Sequence, residues 1–154
     1  YTRNMPENIN GQKNSANRNN TSNSSKPNTG SIKIAVEKIA GILWKMTTTE
    51  NGETFQYTRK CGKPREENGQ IVGEYVRTLK QAGNYCTLKT NYKFTMISDS
   101  QYSWEIMNAT CDGKSENADI GKTGFHNFEL SNGGNTLVQW TVGTDRSTAS
   151  VWSR

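Results

Sequence analysis

The sequence holds one histidine, three cysteines and three prolines in 154 residues, and each scarcity removes a class of chemistry. With His126 as the only imidazole, most acid–base schemes lose their usual general base. No two cysteines form a C-x-x-C pair, so a structural zinc site lacks ligands, and no other cofactor signature is present. A G-x-S-x-G elbow, a P-loop and a G-x-G-x-x-G turn are all missing. No run approaches the roughly 18 apolar residues of a membrane-spanning helix. Hydrophobic residues make up only 31% of the chain, low for a globular protein, but the shortage is uneven.

It is concentrated at the start. Residues 1–30 contain nine Asn and four Ser, with Tyr1, Met5, Ile9 and Ala16 as nearly their only apolar side chains. Such a stretch cannot bury enough surface to offset the entropy of ordering it, so a disordered arm is expected there, followed by one domain over 31–154. Arg3, Lys13, Arg18 and Lys26 against Glu7 give the arm +3; the body then has fifteen basic against thirteen acidic residues. That balance argues against a nucleic-acid groove. The run Arg59, Lys60, Lys63, Arg65 is followed at once by Glu66 and Glu67 and reads as a solvated loop. Three N-x-[ST] sequons lie in the arm, at Asn19, Asn20 and Asn23, and a fourth at Asn108. The chain opens on Tyr rather than Met, the expectation for a processed product whose targeting segment is gone. The arm then reads as a tether holding the domain off a membrane anchor, as in a lipoprotein, or off another domain.

What remains is patterned for strands. Ser31 can cap a short helix over Ile32 to Leu43, since Ile32, Ala35, Val36 and Ile39 share a face and Gly41 can end it. The alternative is a strand through IKIAV, whose β-branched residues also alternate. Beyond it, Asn51-Gly52 separates WKMTTT from TFQYTR, the strongest short hairpin signal. Asn68-Gly69 precedes QIVGEYVRTL; TNYKFTMIS and QYSWEIMN alternate around a Ser-Asp-Ser turn. After a polar loop come FHNFEL, TLVQWTV and STASVWS, divided by Gly-bearing turns. The count is about eight antiparallel strands in up-and-down order, with no segment long enough for a parallel crossover. A closed barrel hides every edge, while a two-sheet sandwich would use the same strands and turns.

Cys86 lies just before one strand-like run and Cys111 just after the next, so a hairpin of the two would bring both to its open end, within bridging reach. A disulfide closing about 25 residues is worth roughly 3 kcal/mol and implies an oxidising compartment, so secreted, periplasmic or cell-surface. Cys61 is left as a buried thiol, as a partner of one of the other two, or free for an intermolecular bond. A Cys61–His126 nucleophile pair has no support from flanking residues.

Several segments taken together resemble the small lipocalin-like (calycin) barrels of exported bacterial proteins. A helical lead into AGILWKM is similar to the lipocalin Gly-x-Trp opening, although two residues separate Gly41 from Trp44 here instead of one. YCTLKTNYKF followed by a strand and ATC resembles the compact members' order of Cys, Phe-bearing strand, strand and Cys. GKTGFHNFELSNGGNTLVQW resembles a strand, a Leu-Ser-x-Gly turn and a Thr-Leu strand. The resemblance spans residues 39–154 and implies a barrel rather than a sandwich.

An eight-stranded barrel either fills with its own side chains or keeps room for one small ligand. The candidate lining is Trp44, Tyr75, Arg77, Phe94, Tyr102, Trp104 and Trp140, with Arg77, Glu74, Glu105 or Gln139 as polar anchors at the mouth. The expected function is non-catalytic binding of a small hydrophobic or amphipathic molecule. A surface-acting module with a filled core, such as an adhesin, inhibitor or envelope-assembly protein, is the rival reading. A glycosidase built on Glu74 and Glu105 would need those carboxylates to face one sugar cleft.

Overall fold

The computed structural model describes residues 28–81, 86–116 and 118–154. The expected arm, with its sequons at Asn19, Asn20 and Asn23, therefore lies almost wholly outside the described residues. The chain runs α1 (Thr29–Glu37), β1 (Leu43–Glu50), β2 (Glu53–Cys61), β3 (Arg65–Glu67), β4 (Gln70–Gln81), β5 (Leu88–Met96), β6 (Gln101–Cys111), β7 (Lys114–Ser115), β8 (Thr123–Ser131), β9 (Thr136–Thr141) and β10 (Ser150–Ser153).

Eight of these strands close on themselves. The sheet follows the order β2-β1-β10-β9-β8-β6-β5-β4, and β4 pairs back onto β2 from Phe55↔Gln81 to Cys61↔Tyr75. The ring's narrowest seam is β1–β10, with Ser153 opposite Lys45. This is the up-and-down barrel, not two facing layers. The short strands β3 and β7 extend β4 and β6 beyond the ring.

The turns follow their local chemistry. Asn51-Gly52 and Asn68-Gly69 both hold positive φ at their two central residues, the type I′ geometry that matches strand twist. Asp112-Gly113 does the same between β6 and β7, a hairpin cue hidden inside what reads as an unstructured polar loop.

The helix starts earlier than its sequence suggests. Asn28, not Ser31, is the N-cap: its Oδ1 accepts from the backbone of Gly30 at 3.0 Å and Ser31 at 3.2 Å. α1 ends at Glu37, and a turn over 38–41 leads through a left-handed Gly41 into β1. Ile32, Val36 and Ile39, at helical spacing, press onto one end of the barrel. That end is solid. Trp44 is fully buried there among Ile71, Phe94, Met96 and Leu137, and its indole N–H donates to the carbonyl of Ile39 at 3.2 Å. The extra residue between Gly41 and Trp44 thus leaves the tryptophan at the barrel base.

One cross-strand row leading out of the base shows how tightly the interior is packed. Gly73, Phe94, Trp104 and Gly124 are register partners on consecutive strands β4, β5, β6 and β8. Each ring covers a glycine: a Cβ at Gly73 would stand 2.6 Å from Phe94, and one at Gly124 would stand 2.5 Å from Trp104. Phe94 is buried and has nowhere to retreat. Gly73→Ala should therefore destabilise the barrel by about 1–3 kcal/mol through overpacking, read as a lowered urea midpoint at unchanged slope.

Candidate functional site

Alternation along the strands decides which side chains enter the barrel. On β2, Tyr57, Arg59 and Cys61 share the inward phase, and on β4, Ile71, Tyr75 and Arg77 do. β5 and β6 add Tyr92, Phe94, Tyr102, Trp104 and Ile106. Beneath Arg59 the interior is nearly full, with a void of only about 20 Å³ between the helix and Tyr102. Above it, toward the end opposite α1, a cavity of about 330 Å³ remains, at the lower limit of small-molecule sites.

The cavity wall is aromatic and basic. Arg59 and Arg77 are direct cross-strand partners on the inner face. Tyr75 and Tyr92, partners on the next ladder, stack at 4.4 Å and 11°. The Arg59 guanidinium lies 4.1 Å over Tyr75 and that of Arg77 lies 5.5 Å over Tyr92. Trp104, Trp152 and Tyr57 complete the wall, with Trp152 edge-on to Tyr57. At the mouth, Asp119 pairs with Lys122 at 2.7 Å.

Arg59 is 5% exposed, a buried charge. It donates to Oε1 of Gln139, and among the described residues no carboxylate forms a salt bridge with it or with Arg77. Burial opposes the charge, yet the Tyr102 and Tyr75 hydroxyls beside it hold the guanidinium pKa above its ordinary value. Burial also keeps both phenols protonated. Gln139 continues the network by donating from Nε2 to Nδ1 of His126 at 2.8 Å, and the Tyr102 hydroxyl lies 3.1 Å from the same nitrogen. With Gln139 Oε1 taken by Arg59, the accepting Nδ1 leaves the ring proton on Nε2.

Burial, followed by the charges of Arg59 and Arg77, pushes His126 down to about 4. The folded ring thus resists a proton that the unfolded ring takes up near 6.5. Between those pH values the unfolded state binds more protons, so stability is full above about pH 6.5 and drains as pH falls toward 4. The loss should reach roughly 2–3 kcal/mol. Because His126 is the only histidine, one imidazole resonance reports it: no titration is expected above pH 5. His126→Gln should flatten the stability curve across the same window.

Of the residues expected from sequence, Tyr75, Arg77 and Trp104 do line the cavity, and Gln139 stands in its polar network. Trp44 and Phe94 belong instead to the packed base, and Tyr102 bounds the small void below Arg59. Trp140 is a correction. Leu137 and Gln139 take the inward phase of β9, so Trp140 faces out, where Arg146 lies 5.4 Å over its ring. Glu74 and Glu105 are a second correction. Both are exposed, on either side of Lys93 in one row across β4, β5 and β6, and Glu74 pairs with Arg65 at 2.8 Å. Lys93 stands between them, and of the two only Glu74 lines an outer depression beside β2 and β4. Arg59 corrects the solvated-loop reading: Lys60 and Lys63 are exposed, whereas Arg59 points into the barrel.

Cys86 and Cys111 form a disulfide with Cα atoms 5.4 Å apart. Cys61 is a buried free thiol donating to the Gly62 carbonyl, and burial pushes it up to about 11, so no thiolate forms at neutral pH. His126 is engaged with Tyr102 and Gln139, which removes the Cys–His pair. Outside the barrel, a broader depression of about 730 Å³ lies between the turn after α1 and the outer faces of β2 and β4. Its Lys60, Lys63, Lys89, Glu37 and Glu74 mix both signs of charge. Asn108 is exposed on β6, its amide oxygen accepting from Asn91 at 2.6 Å. Among the described residues no helix is long and apolar enough to cross a membrane, and no cluster of side chains could hold a metal ion.

Fold and site define a closed eight-stranded antiparallel barrel with a plugged base and an aromatic, cationic upper chamber. No family model, curated protein or solved structure matches the chain.

Proposed function

We propose that this protein is an exported, lipocalin-like binding protein that holds one small amphipathic molecule in the upper half of its barrel, without catalysing its conversion. The observation that carries the reading is the cavity of about 330 Å³ walled by stacked and edge-on aromatic rings above a solid base. Rings supply large apolar contact area at low entropic cost, while the guanidiniums, Gln139 and His126 supply orientation. The disulfide supports an oxidising compartment. The polar arm, with its near absence of apolar side chains, suits a tether to an envelope.

Trp104 and Trp152 both line the chamber, so their emission reports occupancy. Titration with bicyclic aromatic amphiphiles should quench it saturably at one molecule per chain. Ser150→Phe, which places a ring at the chamber wall, should abolish that quenching without unfolding the protein. Unsaturable quenching, or saturation unaffected by the filled variant, would remove the barrel interior as the binding place.

A further inference from the structure

Three buried nitrogen donors have no acceptor among the described residues: Nε of Arg59 and the indole nitrogens of Trp104 and Trp152. All three residues line the same chamber. An orphaned buried donor costs about 1–3 kcal/mol, and these three stand on separate strands, β2, β6 and β10, around one interior. Arg59 and Arg77 stand directly opposite each other in the β2–β4 ladder, where like charges repel. Among the described residues the only lining carboxylate is Asp119, already paired with Lys122 at the mouth. The interior therefore carries two uncompensated positive charges.

We infer that the molecule bound in the chamber is an organic anion, a compact aromatic carboxylate. Its charged group sits between Arg59 and Arg77 and accepts from their guanidiniums, and its ring packs against Trp104 and the Tyr75–Tyr92 stack. The inference rests on the carrier reading and sharpens it. Planar, charge-assisted contacts suit a carboxylate in the fork of a guanidinium. A dry, aromatic pocket strengthens those contacts relative to water. The chamber size excludes a long acyl chain, because the base beneath Arg59 leaves a void of only about 20 Å³. An anion lodged beside His126 would also offset the two guanidinium charges that add to burial in keeping its ring neutral.

A matched pair of probes tests this. 2-Naphthoate and its neutral amide, 2-naphthamide, differ in charge and hardly in shape. On the full chain at pH 7, the carboxylate is expected to bind at least tenfold more tightly than the amide, by calorimetry and tryptophan quenching. Arg59→Met and Arg77→Met should each cost the carboxylate tenfold or more and leave amide binding within about twofold. The imidazole resonance should titrate at higher pH with naphthoate bound than without it. Equal saturable affinity for the two probes overturns the anion inference while the carrier reading stands. Failure of both probes to bind overturns both. Arg77 is only partly buried, so Arg77→Met decides the matter if Arg59→Met does not fold.

Discussion

Replacing Trp44 by Ala is expected to cost about 3–5 kcal/mol of folding free energy, enough to unfold much of the protein near physiological temperature. Trp44 has no exposed surface and is among the largest side chains in the base. Its removal leaves a cavity that the surrounding Ile71, Phe94 and Leu137, themselves buried on fixed strands, can close only in part. The carbonyl of Ile39 also loses the indole donor that ties the turn after α1 to the barrel. Trp140→Ala is the internal contrast. Trp140 is half-buried on the outer face, and Arg146 above it is also held by Glu129. Truncating it should cost about 1 kcal/mol, the range of an exposed cation–π contact plus partial burial. Equilibrium urea unfolding of the two variants separates these values easily. Comparable losses at the two positions would mean that Trp44 does not seat the helical plug.

The contrast between these two tryptophans also shows where the sequence speaks and where it is silent. The eight ring strands are readable because turn chemistry brackets them: Asn51-Gly52, Asn68-Gly69 and the Gly-rich turn after Ser131 leave little freedom in strand count. Closure is different. Pairing of Phe55–Cys61 with Tyr75–Gln81 joins strands across β3, and nothing local to either run marks that partner. The inward face was harder still. On β9, Leu137-Val138-Gln139-Trp140 offers an apolar residue to each side, so identity alone favours an inward tryptophan, whereas the ladder with β8 and β10 puts Leu137 and Gln139 inside.

Arg59 carries the same lesson in reverse. Among Lys60, Lys63 and Arg65 it looks like one more solvated charge, and composition gives no reason to separate it. Phase does: Tyr57, Arg59 and Cys61 alternate together, and both neighbours on that phase are residues that suit an interior. A lone arginine on the inner phase of a strand is costly to bury and is tolerated where aromatic faces and hydroxyls hold it. The orphaned donors around it had no sequence signal, since a missing partner is a property of the assembled wall. The chamber is thus legible as a barrel interior, and its cationic character is not.

Breaking the Cys86–Cys111 bond should remove about 3.5 kcal/mol, the chain-entropy value for a loop of 25 residues. The native hairpin would change little. Its open end is already clasped by the Thr87 backbone N–H donating to Asp112 Oδ1 at 2.8 Å and by the Asp112 N–H donating to the Thr87 carbonyl at 3.0 Å. The effect comes from the unfolded chain, which gains the freedom to separate β5 from β6. Those two strands supply Tyr92 and Trp104 to the chamber and Phe94 and Tyr102 to the packing beneath it, so the same loop closure that stabilises the fold also holds one wall of the chamber. Urea unfolding of the Cys86→Ser/Cys111→Ser double variant, compared with the oxidised protein, measures the difference directly. Cys61, already a buried thiol, should not respond to reductant. A loss below about 1 kcal/mol would show that the unfolded chain keeps this hairpin closed without its covalent link.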